Sequence, residues 1–169
     1  MDAKELRTLQ APLKTRYREE PEAAIVTMRA DGELDDAGVA CKVQTGRAIV
    51  DAGLHPAAGG NGLMACSGDM LLEALVACAG VTVRAVATVL EIPVRASRVV
   101  AEGDLDFRGT LGVDKEATVG FRNIRLTFEL KTDATPEQLD NLLRLTERYC
   151  VVYQTLSQAT PIGITHRSV

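Results

Sequence analysis

Tryptophan is absent from the 169 residues, and Phe and Tyr together bring aromatics to only 4%. Rings on which bases could stack are scarce, and no block of Lys or Arg stands anywhere along the chain. With 19 basic against 23 acidic residues and a pI near 5.2, this composition speaks against nucleic acid or an anionic membrane surface as a partner. The opening stretch, MDAKELRTLQAPLKTRYREEPE, mixes both charge signs and has no apolar h-region. It does not read as a secretory signal, and a cytoplasmic location is expected. There is no C-x-x-C pair and no Cys/His ladder at ligand spacing, so the four cysteines do not read as a zinc site, and no metal or cofactor is expected. In a reducing compartment they are thiols at rest, and any disulfide between them is transient and catalytic. Hydrolase chemistry finds no Ser-His-Asp spacing. The Gly-rich run GLHPAAGGNG at 53–62 lacks the strand-helix setting and the Lys of a phosphate loop.

What is present is ordinary for one soluble domain: 46% hydrophobic and 25% charged residues. Residues 1–22 read as a helical lead-in, an amphipathic helix over 3–18 with Leu6, Leu9 and Leu13 on one side. Residues 23–169 form the domain proper. Alternation over Ile25 to Arg29 and again over Val39 to Gln44 predicts two strands with Asp31-Gly32 as the turn between them, and a third strand follows over Arg47 to Asp51. From Ser67 a helix runs to about Glu91, stopped by Pro93, with Ser67 as its cap and Asp69 in its first turn. Its apolar residues go most of the way round. The segment is about long enough to span a bilayer, but Glu73 and Arg84 make that costly, and a helix buried within protein is the better reading.

Two alternating strands come next, Ser97 to Arg108 and Phe121 to Lys131. Ile124, Leu126, Phe128 and Leu130 face inward and Arg125, Thr127, Glu129 and Lys131 outward, which predicts a hairpin with one wet face. Thr135-Pro136-Glu137-Gln138 combines an N-cap, a first-turn Pro and a capping-box Gln, and starts a helix through Leu139, Leu142, Leu143 and Thr146. Cys150 falls near its end, a second short helix follows over Val151 to Gln158, and Ile162 to His166 is expected as a closing strand. The fold class is α+β with antiparallel sheets. A helix apolar on nearly all sides needs more cover than one small sheet gives, so an intertwined two-fold homodimer with the long helices at its centre is expected.

The run LVACAG on a long apolar helix after a Gly-rich loop, and RYCVVYQTL further on, resemble the OsmC and organic hydroperoxide resistance proteins from about Ala24 onward. In that family a Cys in an Ala-Ala-Cys helix context is the peroxidatic thiol, and a later Cys, usually followed by Pro, resolves it. Those positions fall on Cys78 and Cys150, 72 positions apart. The resemblance implies reduction of an organic hydroperoxide: a thiolate becomes a sulfenic acid, a second thiol condenses with it, and a lipoyl- or thioredoxin-type dithiol resets the pair. An ordinary thiol has a pKa of about 8.5, so the attacking sulfur needs help to ionise, which the family supplies with an Arg held by a Glu. Here Gly68 stands in the place of that Glu and Val151 in place of the Pro. Asp69 is the nearest acid, but nine residues at about 100° each set it on the opposite face of a regular helix from Cys78. The Arg falls on Arg47 or Arg29.

The remaining candidates have plainer explanations. Cys41 alternates with Val39 and Val43 as core. Cys66, just ahead of the helix, reads as packing or as an accessory thiol. Glu73 and Arg84 suit a structural ion pair across the dimer, and His55 and His166 read as surface residues. Three functions compete: a thiol peroxidase using Cys78, Cys150, Arg47 and Asp69; a protein of the same fold that binds a small apolar ligand, its cysteines vestigial; and a purely structural dimer.

Overall fold

A computed structural model of the chain describes residues 2–19, 31–34, 40–44, 49–112 and 114–168. The expected strand over 25–29, with Arg29, and the residue Arg47 lie outside the described residues, as do the side chains of Leu9, Leu13 and Cys41. The elements in chain order are α1 (Ala3–Glu19), β1 (Asp31–Leu34), β2 (Ala40–Gln44), β3 (Ile49–Gly53), β4 (Ala65–Cys66), α2 (Ser67–Val89), β5 (Val94–Leu105), α3 (Phe107–Thr110), β6 (Phe121–Thr132), α4 (Pro136–Tyr149) and α5 (Val151–Ser157). They fall into two compact units, Met1–Glu73 with Val100–Thr127, and Ala74–Val99 with Phe128–Val169.

In the first unit α1 opens with Asp2 and Glu5 exchanging backbone-to-carboxylate bonds at 2.8 Å each, a reciprocal cap for two donors that have no helical partner. A four-stranded sheet follows in the order β1-β2-β3-β4. Its first two pairings are antiparallel and β3 with β4 is parallel. Asp31-Gly32, expected as a turn, instead lies inside β1, opposite Gln44 and Val43. Among the described residues β1 is an edge of this sheet, where pairing on one side tolerates an Asp-Gly that a central strand would resist. The third strand is described over Ile49–Gly53, and its expected start at Arg47 lies outside the described residues.

The Gly-rich loop holds one short 3-10 turn, Pro56–Ala58, capped by His55, whose Nδ1 accepts the N–H of Ala57 at 3.0 Å. The imidazole stacks on Phe107 with centroids 5.0 Å apart, so His55 is a structural cap rather than a free surface residue. Gly60 is the position in this loop that admits no side chain, since a Cβ there would sit 1.7 Å from the Leu54 carbonyl oxygen.

The strand expected to reach Arg108 stops at Leu105. Asp106 caps α3 instead, accepting from the Arg108 N–H at 3.1 Å, so Phe107 belongs to a short helix. The Arg108 guanidinium and backbone N–H together hold the Asp106 carboxyl down to about 2.

β5 and β6 pair along the chain as expected. Their wet face carries Arg95 on Asp133, Arg98 on Glu129, and Arg125 on Asp104. Partner numbers fall along β6 as they rise along β5, which makes the strands antiparallel. Inward positions of β6 are Ile124, Leu126, Phe128 and Leu130, the set read from the alternation.

In the second unit the core is Val83, Ala87, Ile92 and Leu142, with Val86, Leu90, Val94, Phe128, Leu130 and Leu139 packed around it. α4 is closed by the expected capping box, Gln138 N–H to Thr135 Oγ1 at 3.2 Å and Thr135 N–H to Gln138 Oε1 at 2.9 Å. α2 ends at Val89. Glu91 takes a left-handed φ of 58°, and the Ile92 N–H returns to the Ala87 carbonyl at 2.9 Å, a Schellman-type stop.

By length and composition α2 could cross a membrane. Within one chain it buries a single stripe, Leu75, Ala79, Val83 and Ala87, while Val81 is 72% exposed. Ile162 to His166, expected as a closing strand, has no regular structure. Ile162 and Ile164 are 87% and 93% exposed, and no strand of the described residues pairs with the segment to hold it extended.

Candidate functional site

Cys78 sits halfway along α2, one residue before the buried Ala79. Its sulfur therefore lies at the margin of the buried stripe and is half-buried. Cys150 occupies the single residue between α4 and α5, with φ −76° and ψ 107°. Its N–H ends α4 on the Thr146 carbonyl and its carbonyl starts α5 by accepting from Gln154, both at 2.9 Å. Tyr149 and Val151 on either side are exposed, while Cys150 is 1% exposed. Both cysteines are free thiols.

The first backbone N–H groups of a helix have no partner within it. The amides of Val151 and Val152 at the start of α5 favour the charged form of the Cys78 sulfur, and those of Tyr153 and Val152 favour that of Cys150. Burial works against ionising Cys78. The Val152 N–H, the Cys150 thiol, the Val151 N–H and the Thr82 hydroxyl outweigh it and hold the Cys78 thiol below its ordinary value. Burial pushes the Cys150 thiol up; the Tyr153 N–H opposes this, but donating to Cys78 and facing its charge raise it further. Of the two sulfurs, Cys78 ionises first.

The two thiols singled out from the sequence thus meet within one unit. Sequence reasoning missed the donors, which are neutral: two α5 amides and Thr82. The signal was present in the Val at 151, because a Pro there would have no N–H to give. Asp69 is exposed in the first turn of α2, and the helix is regular from Ser67 on.

Around Gly68 an added Cβ would meet the Phe121 ring at 3.5 Å, with Cys66 Sγ and Leu105 Cδ1 at 3.6 Å, apolar surroundings for a carboxylate. Cys66 is a half-buried free thiol beside it. Arg84 donates to the Val94 carbonyl at 2.9 Å within its own chain, Glu73 is exposed, and so is His166. On the α4–α5 junction an open groove of about 660 Å³ is lined by Arg144, Glu147, Arg148, Tyr149, Tyr153 and Gln154.

Residues 60–165 match the family model described as OsmC-like protein. No curated protein sequence matches the chain. Among solved structures, the chain is similar to an OsmC-like protein from Mycoplasma pneumoniae at 16% identity, over 78% of this chain and 88% of that one, with a TM-score of 0.64. It is also similar to an organic hydroperoxide resistance protein OsmC from Legionella pneumophila (16% identity, 79% and 90% covered, TM-score 0.61). A third is an organic hydroperoxide resistance protein from Elizabethkingia anophelis (14%, 78% and 88%, TM-score 0.61). At these identities the likeness is one of fold.

Proposed function

The chain belongs to the OsmC-like protein family, and from that premise we propose that it is a cytoplasmic, thiol-dependent reductase of organic hydroperoxides. The observation that carries this reading is the meeting of two free thiols from distant parts of the chain, one partly open and readily ionised, the other buried and held protonated. In the first step the Cys78 thiolate attacks the terminal peroxide oxygen. An S–O bond forms as the O–O bond breaks, leaving a sulfenic acid on Cys78 and an alcohol once the alkoxide takes a proton from solvent. Cys150 then attacks that sulfur, the disulfide forms, and water leaves with the thiol proton. A dithiol of lipoyl or thioredoxin type returns both residues to thiols by exchange.

Arg47 is the proposed cation of the site, with Arg29 as the competing choice. α2 is regular from its first residue, which keeps Asp69 on the face opposite Cys78, so the orienting role expected of Asp69 gains no support from the helix. A homodimer in which the uncovered face of α2 packs on a second copy belongs to the same reading, supported by the exposure of Val81.

Gly68, set against Phe121 and Leu105 where the resemblance calls for a Glu, favours a second reading: a binding protein for a small apolar ligand, its thiols idle. Consumption of tert-butyl hydroperoxide with a dithiol reductant separates the two. The peroxidase reading expects the Cys78→Ser variant to fall to the uncatalysed background, and equal rates for wild type and variant would remove it.

A further inference from the structure

The arginines of the β5–β6 hairpin and its connection, Arg95, Arg98, Arg108, Arg122 and Arg125, all rest on carboxylates. Two arginines of α4 do not. Arg144 and Arg148 are exposed and stand one helical turn apart on the same side of the helix, where like charges repel. Glu147 lines the same groove but pairs with neither, and among the described residues no carboxylate comes within ion-pair distance of either guanidinium. Arg144 donates to the Asn141 side-chain oxygen at 2.7 Å, and Arg148 lies over the Tyr149 ring, 5.8 Å from its centroid. Neither contact removes charge, and N–H donors remain at the edge of both guanidiniums.

These two cations, with Tyr149 and Tyr153, line the open groove of about 660 Å³ on the α4–α5 junction. A second opening of about 370 Å³ shares Arg148, Tyr149 and Gln154 with it and continues to Val151 and Thr160. Gln154 ties the two helices together here: its Nε2 donates to the Glu147 carbonyl at 2.9 Å, and its Oε1 accepts from Gln158 Nε2 at 2.6 Å. The groove is thus held in shape with an excess of positive charge, on a chain whose net charge is −4. Its openness decides the kind of occupant. Small-molecule sites enclose most of their ligand, whereas an open groove walled by Arg and Tyr has the composition of a protein interface. Tyr149 and Val151, on either side of the buried Cys150, are 60% and 70% exposed, so an occupant would cover the outer side of the residue that joins the helices.

We propose that this groove is a docking site for an acidic segment of another protein, whose carboxylates take the free edges of Arg144 and Arg148 and whose apolar atoms cover Tyr149 and Val151. The proposal stands apart from the chemistry at Cys78, and its failure would leave the peroxidase reading untouched.

The test uses the full reduced chain and two fluorescein-labelled peptides of equal length, one of alternating Glu and Leu, the other of alternating Lys and Leu. Both are titrated at low salt and read by anisotropy. Despite the net charge of the chain, wild type should bind the acidic peptide about fivefold tighter than the basic one, and less so as salt is added. Arg144→Gln combined with Arg148→Gln, substitutions that suit an exposed helix, should bring the two peptides level, and Glu147→Gln should widen the wild-type preference. Equal binding of both peptides by wild type would overturn the proposal, as would a preference that survives the double substitution. Displacement of the acidic peptide by glutarate at matched carboxylate concentration would give the groove to a small anion, and a halved sedimentation mass in the double variant would give it to a second copy; either result overturns the proposal as well. Should the double variant lose cooperative unfolding, the direction of the Glu147→Gln change decides alone.

Discussion

The Cys150 thiol, in the role of a hydrogen-bond donor, favours the charged form of the Cys78 sulfur. The receiving sulfur is the one partly open to solvent, and the donor is 1% exposed. A solute arriving from solvent therefore meets first the residue that is charged first, with the second thiol beside it.

One equivalent of tert-butyl hydroperoxide should take two hydrogens from the wild type, mapped by mass to a peptide joining 78 and 150. In Cys150→Ser the same treatment should leave a sulfenic acid on Cys78 that a cyclic dione traps. An adduct on Cys66 with Cys78 unchanged would contradict the assignment.

Val151→Pro is expected to leave the fold intact, because Pro suits the first position of a helix and Cys150 already has the extended backbone that precedes one. It removes one donor from the Cys78 sulfur. Thermal unfolding should hardly change, while the pH midpoint of Cys78 labelling should rise; an unmoved midpoint would tell against the Val151 amide.

The two thiols should also separate by pH. Since the folded state holds Cys78 below the ordinary thiol value and Cys150 above it, native protein at pH 7.5 should alkylate at Cys78 well before Cys150, and denatured protein at both alike. The linked stability has the matching sign. Cys78 contributes most above the ordinary thiol range and loses its contribution as pH falls through its own lowered value, whereas Cys150 opposes folding as pH rises into that range. A denaturation series from pH 6 to 9 in Cys150→Ser should isolate the first trend.

Sedimentation should give the mass of two 18.1-kDa chains. Val81→Glu places a charge on the uncovered face of α2 and should yield monomer of lower thermal stability. A wild-type monomer would remove the dimer from the reading.

Leu142 is fully buried in the second unit's core, and Leu142→Ala should destabilise by about 2–5 kcal/mol. Thr135→Ala, which breaks the capping box without touching the core, should cost about 1 kcal/mol. Urea unfolding of both variants reads the contrast.

The sequence was most legible where one local rule decided the outcome. Thr135 to Gln138 carry all the groups of a capping box, and α4 begins there. The alternation over Phe121 to Lys131 needs only one wet face, and the inward set came out residue by residue. Reading failed where a neighbour decided. Asp31-Gly32 is a turn by composition and a strand by pairing. Asp106 alternates like a strand residue, yet its carboxylate accepts the Arg108 N–H and caps α3, and Ile162 to His166 has a strand's composition but no pairing partner among the described residues. At the site, the resemblance carried by LVACAG and RYCVVYQTL singles out Cys78 and Cys150, since by residue type alone a Cys between two alanines reads as core. The donors around them are not singled out, since two are main-chain amides whose direction depends on where a helix begins, and the third is a threonine whose bond to the Cys78 carbonyl is no different from four others.

Cys150 is the one residue shared by the end of α4 and the start of α5, and the amides just after it are among the groups that favour ionisation of Cys78. The protein thus carries its own indicator. Backbone nitrogen and proton shifts at Val151 and Val152, or their exchange with heavy water, would report from moment to moment whether Cys78 is ionised, without any label.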